Sequence, residues 1–238
     1  MRAFILDRFI DRLRATVRGD VVAFGGPGYS APVTGSDLTV ESRPAVVVIP
    51  MDAADVATVV RAAVEEDVPI AAFSGGHGFH QGVQGAVINL CSLRSLDIDS
   101  EAKVARLGAG ITWAEVAAAA EPIRLEPQSR SGADVIGCLL GGVGPIEWVF
   151  GYGSDSVVQF EVVTNRGDLV VSNAGTNPDL FRALRSGRFD LGIVVSVTVR
   201  LTQAVANKTL NGHGVRLRRR RPARRLQQVC AAVIRRAF

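Results

Sequence analysis

The amino-acid sequence predicts an α+β fold, and three observations carry that reading. Short β-branched runs and helical patterns follow one another irregularly: strand, helix, strand, strand, a strand pair, then helix, hairpin, helix, strand. That order departs from the regular alternation of a doubly wound sheet. Two strand pairs, at 96–107 and 158–172, are joined by short turns and read as hairpins. Finally, 238 residues with 47% apolar and 21% charged side chains can build a large core without disulfide or metal staples.

The elements follow in order. The first residues form a short amphipathic helix ending near Gly19, and Asp7, Arg8 and Asp11 interrupt the apolar run a secretory leader would need. Residues 20–44, rich in Gly, Pro, Ser and Thr, read as an irregular lead-in. Ala45–Ile49 is a β-branched strand closed by Pro50. Asp52 is placed to cap a helix whose apolar positions Val56, Val59, Val60 and Ala63 keep the helical period. Val68–Phe73 and Ala86–Leu90 are strands, separated by a segment that begins Ser74-Gly75-Gly76-His77-Gly78. Leu96–Asp99 and Val104–Leu107 pair through a turn near Ser100. Thr112 and Glu115 have capping-box spacing at the head of a helix, Trp113–Glu121.

Val135–Gly153 is the longest apolar stretch, but six glycines, Pro145 and Glu147 argue against a membrane span. It reads as a Gly-rich loop that something approaches closely; the alternative for Gly137–Gly144 is a helix packed tightly on a neighbour. The hairpin of Val158–Thr164 and Leu169–Ser172 turns through Asn165-Arg166-Gly167. Asn177 caps a helix with Pro178 at its first position, running to about Arg185. Gly192–Leu201 is the last strand, alternating at Val195, Val197 and Val199.

Charge and motif content exclude several functions. The net charge is +4, yet ten of the 27 basic side chains and none of the 23 acids fall in residues 201–238, which leaves 17 basic against 23 acidic in the first 200. The main body is mildly acidic, which argues against nucleic acid as a partner, and no aromatic residue interleaves the run Arg218–Arg221 to stack on bases. Cys91, Cys138 and Cys230 are few, odd in number and far apart, which argues against a disulfide framework and for a reducing compartment. Cys138, in an apolar stretch with no adjacent base, reads as a buried inert thiol. His77 and His80 lack the further ligands of a zinc site, so no metal is expected. Neither a G-x-S-x-G elbow nor a Gly-Lys-Ser/Thr phosphate loop is present, so hydrolase and nucleoside-triphosphatase readings have no motif behind them. A soluble, cytoplasmic protein is expected, with no membrane contact.

The glycines at 75–78 follow a strand, where a backbone can approach a ligand and aim successive N–H groups at an anion; a tight turn with no ligand is the alternative. A dinucleotide fingerprint would need a helix next, and here another strand follows.

Seven segments, in order, carry a resemblance: RPAVVVIPMDAADVATVVRAA, VPIAAFSGGHG, GAVINL, ARLGAGITWAEV, LLGGVGP, FGYGSDSVVQFEVVTNRGDLV and NPDLFRALRSGRFDLGIVVSVTVRL. Together, over about Arg43–Thr202, the chain resembles the FAD-linked oxidases of the vanillyl-alcohol oxidase and berberine-bridge-enzyme type, with their PCMH-type FAD-binding domain. The resemblance implies an α+β fold of two subdomains, about 43–110 and 111–203, with FAD between them. Residues 1–42 would be a lead-in and 204–238 an Arg-rich tail, a truncated or degenerate start of the substrate domain. It implies that Ser74, Gly75, Gly76, His77 and Gly78 cradle the pyrophosphate, and that His77 is the position bonded covalently to flavin in many members. Gly137, Gly141 and Gly142 would pass close to the cofactor, and Gly192 and Ile193 would lie near its adenine end. Arg188 and Phe189 stand where the family has smaller residues and would add bulk there. No catalytic residue follows from the match. The implied function is oxidation of a small-molecule substrate by hydride transfer to flavin; the alternative is a truncated, non-catalytic remnant that binds FAD weakly or not at all. An uncovered flavin face would favour self-association or a covering partner.

Overall fold

The computed structural model describes residues 2–27, 29, 43–74, 84–129, 133–141 and 152–204. All of them belong to the first of two units into which the chain divides after Ala204. Helix α1 (Arg2–Thr16) leads into β1 (Asp20–Ala23), β2 (Val46–Ile49), α2 (Ala53–Glu65), β3 (Ile70–Phe73) and β4 (Ala86–Asn89).

The four strands form one sheet in the order β1-β2-β4-β3, with β2, β4 and β3 parallel and β1 antiparallel to β2. The runs Val-Val-Val-Ile and Ala-Val-Ile-Asn are almost wholly buried, as parallel strands covered on both faces require. Strand β1 corrects the expectation of an irregular lead-in from residue 20. Four residues are too short to show a period, and pairing Asp20–Ala23 with Ile49–Val46 is what makes them a strand. Asp52 caps α2 as expected: its carboxylate accepts the Ala54 and Asp55 N–H groups at 3.0 and 3.1 Å. Helix α1 lies against α2, burying Phe9 and Leu13 completely, while Arg8 and Arg12 pair with Glu66 and Glu65.

The rest of the unit comprises β5 (Leu96–Asp99), β6 (Val104–Gly108), α3 (Trp113–Ala120), β7 (Leu125–Glu126), α4 (Val135–Gly141), β8 (Val157–Thr164), β9 (Leu169–Asn173), α5 (Pro178–Arg185), β10 (Gly192–Arg200) and β11 (Thr202–Gln203). Five of these strands form an antiparallel sheet, β5-β6-β10-β8-β9, and β7 pairs with β11. The second sheet therefore takes in Leu96–Gly108, and the two sheets part between Asn89 and Leu96. Its register shifts between Val194 and Ser196, and the Val195 carbonyl instead accepts the Ala109 N–H at 3.1 Å.

Three local expectations change. Val135–Gly141 is helical, because Asp134 stands before it and accepts the Gly137 N–H at 2.6 Å. Asn177 does not cap α5 with its side chain: it sits at φ +50, and its amide donates to the Val171 carbonyl at 2.8 Å. Cys138 is half-buried rather than buried. The capping box of Thr112 and Glu115 is present in full. One continuous core joins α1, α2 and α3 to both sheets. Among the described residues, no helix is long and apolar enough to cross a membrane.

Candidate functional site

Strand β3 is an edge strand, and all four of its residues are only half-buried. Its free side borders a cavity of about 460 Å³, within the range of roughly 300–1,000 Å³ usual for small-molecule pockets. Ile70, Ala71, Ala72, Phe73 and Ser74 form one wall, with Leu90 beside them. Ile136 and Gly137 come from α4, Asn165 from the β8–β9 turn and Leu184 from α5. Asp190, Gly192, Ile193 and Val194, at the head of β10, complete the lining. The cavity thus lies between the edge of the first sheet and the start of the central strand of the second.

Four residues expected at a cofactor site meet here: Ser74, Gly137, Gly192 and Ile193. Gly141 ends α4 and is not part of the lining. Gly75, Gly76, His77, Gly78 and Gly142 lie outside the described residues, as does His80. Both lining glycines lie close to other atoms of the protein. A methyl on Gly137 would stand 2.9 Å from both Asp134 carboxylate oxygens. Gly192 has φ +153, and a methyl there would meet the Val163 carbonyl oxygen at 2.6 Å.

The polar groups are few. Asn165 Nδ2 donates to the Asp190 carbonyl at 3.1 Å, which ties the hairpin turn to the head of β10. Asp190 receives a two-pronged hydrogen bond from Arg188, at 2.9 and 2.8 Å. That bond pulls the Asp190 carboxyl down to about 2. Arg188 is not among the residues that line the cavity. Ser74 Oγ donates to Asp134 Oδ1 at 2.6 Å.

Sequence reasoning missed Asp134, Asn165 and Asp190. An Asp directly before an apolar run is a helix-start signal that could have found Asp134, but the glycines of that stretch argued for a loop. Asn165 and Asp190 reach the cavity only because β8 and β10 pair, and no local pattern announces that. Among the described residues, no group of three or more His, Cys, Asp or Glu side chains is arranged to hold a metal.

An α+β domain with an apolar cavity at a sheet edge is suited to hold a cofactor or small molecule. Comparison with known proteins narrows the class: the model described as "FAD binding domain" matches residues 44–173, and the chain belongs to that family. It is an FAD-binding domain of the FAD-linked oxidoreductases. The FAD-dependent monooxygenase FUP4 of Fusarium proliferatum (strain ET1) is 34% identical over 159 residues, 64% of this chain and 31% of that protein. The (R)-6-hydroxynicotine oxidase of Paenarthrobacter nicotinovorans is 29% identical over 192 residues, 78% of this chain and 42% of that one. A variant of BBE-like 1 from Physcomitrella patens superposes with a TM-score of 0.77 at 25% identity, covering 83% of this chain and 45% of the other. The chain thus spans less than half the length of these relatives.

The lining can be tested against FAD directly. Nine of its fourteen residues are apolar, and none is Lys, Arg or His. Such walls suit the faces of a planar aromatic ring and offer little to a diphosphate. The described residues therefore fit the ring of the cofactor; Gly75–Gly78, expected to take its phosphates, lie outside them.

Proposed function

We propose that this chain holds FAD in the cavity beside β3 and serves oxidation of a small-molecule substrate. The observation that carries the reading is the convergence of Ser74, Gly137, Gly192 and Ile193 on one apolar cavity between the sheets. When bound, FAD supplies a ring that accepts a hydride, and the protein contributes orientation and surroundings. Ile70, Phe73, Ile136 and Ile193 would exclude water from the ring. Gly137 and Gly192 would bring backbone close to it, and successive N–H groups at Gly75–Gly78 would take the phosphates. His77, by the resemblance, would tether the cofactor covalently. The substrate side would come from protein beyond these residues, as the partial span of the relatives suggests.

The test is an absorption spectrum of the purified chain, with and without added FAD, before and after acid precipitation. Flavin colour that stays with the precipitate supports both the site and the tether, and His77→Ala should release it. Colour that passes to the supernatant supports the site and overturns the tether. A colourless chain that ignores added FAD overturns the proposal.

A further inference from the structure

Two residues that line the cavity direct their hydrogen-bond donors at a third that does not. Ser74 Oγ donates to Asp134 Oδ1 at 2.6 Å, and the Gly137 N–H donates to the same oxygen, also at 2.6 Å. Asp134 is 4% exposed. Among the described residues, no ion pair involves Asp134. Its backbone is pinned on both sides: the Trp113 N–H donates to the Ala133 carbonyl at 3.1 Å, and the Val135 N–H to the Ile111 carbonyl at 3.0 Å. The backbone that carries Asp134 is therefore held in place. A buried carboxylate needs hydrogen-bond donors, and Ser74 and Gly137 supply two of them.

A phosphate needs the reverse of this arrangement, with converging O–H and N–H donors and positive charge. Here both donors are committed and the fixed charge is negative. With its single proton on Asp134, Ser74 Oγ has only lone pairs left for a ligand. We infer that the Ser74–Gly137 corner is a subsite that accepts an O–H or N–H from an uncharged part of the flavin and rejects phosphate. Asp134 sets that polarity through Ser74 and is a positioning residue. The inference rests on the FAD reading and deepens it, since it gives one end of the cavity a sign. It removes the Ser74 side chain from the phosphate cradle and leaves that role to Gly75–Gly78.

Riboflavin carries the ring and the ribityl hydroxyls without phosphate, and FAD carries both, so their affinities separate the two effects. Both are titrated by fluorescence against the full chain, Asp134→Asn and Ser74→Ala. Asparagine keeps the accepting oxygen and the size but removes the charge. Asp134→Asn is expected to raise FAD affinity relative to riboflavin by about tenfold, as expected for removal of one nearby like charge under partial screening. An unchanged or lowered ratio overturns the inference. Ser74→Ala leaves the carboxylate and removes the accepting oxygen, and should weaken riboflavin by about two- to tenfold. Riboflavin affinity equal to the parent's overturns the inference. Should Asp134→Asn fail to melt cooperatively, the Ser74→Ala result decides alone. A parent chain that binds neither flavin overturns the FAD reading and this inference with it. A parent that binds both, with the ratio insensitive to Asp134→Asn, overturns this inference only.

Discussion

Gly192 pairs with Thr164 across the second sheet and lies so close to Val163 that a methyl on it would stand 2.6 Å from the Val163 carbonyl oxygen. The Gly192 φ of +153 adds backbone strain for any other residue. The same residue lines the cavity, so one backbone position joins the pairing of β8 and β10 to the ligand wall. Gly192→Ala should destabilise the chain by about 2 kcal/mol or more and weaken flavin binding with it. Urea unfolding and flavin titration of the same variant check both. An alanine variant as stable as the parent would show that β10 can shift to make room.

The cap of α2 makes a pH prediction. Asp52 accepts two helix N–H groups, and its carboxyl lies below the usual range, chiefly through the hydrogen bond from Arg18. A carboxyl depressed in the folded state stabilises fully above its unfolded value and loses that contribution as pH falls through its folded value. Asp52→Ala should therefore lower stability by about 1 kcal/mol at neutral pH and by less in acid. Unfolding midpoints measured from pH 7 downwards should converge for parent and variant. A constant gap between the two curves would show that the cap does not depend on the carboxylate's charge.

At the cavity rim, the hydrogen bond from Arg188 is the largest cause of the low position of Asp190, at about 2, with a backbone N–H next. Both side chains are exposed, so the pair is a matter of local charge rather than of fold stability. In Arg188→Ala, Asp190 should titrate near the ordinary aspartate value of about 3.9. A side-chain NMR titration reads this directly. The depressed carboxyl stays ionised until pH falls to about 2, so its pairing with Arg188 persists throughout the neutral and mildly acid range. An Asp190 that stays low without Arg188 would point to the backbone as the cause.

The α2 cap, the capping box and the β8–β9 turn were legible in the sequence because each is a local device whose residues lie within a few positions of one another. Strand β1 and the small β7–β11 pair were not, since two- and four-residue strands exist only through partners far along the chain. The site divides in the same way. Ser74, Gly137, Gly192 and Ile193 could be named from segments, and the structure brings them to one cavity. Asp134 could not be named as part of it, because its link to Ser74 spans 60 residues and depends on how α4 meets β3. Nor did glycine content reveal that Gly137 and Gly192 lie against Asp134 and Val163.

Trp113 gives the final prediction. It is 1% exposed, begins α3 and belongs to the core, yet its indole Nε1–H has no hydrogen-bond partner among the described residues. An unmet buried donor is unfavourable by about 1–3 kcal/mol. Phenylalanine removes that donor and keeps most of the ring, leaving a void whose effect opposes the gain. Trp113→Phe should therefore lie within about 1 kcal/mol of the parent, because the two effects are of similar size. Phe160→Ala, at a fully buried site with no polar group to relieve, should lose about 3–5 kcal/mol in the same assay. Urea unfolding of both variants separates the cases. A loss for Trp113→Phe comparable to that for Phe160→Ala would mean that the indole N–H is paired after all, by a residue outside the described segments or by water.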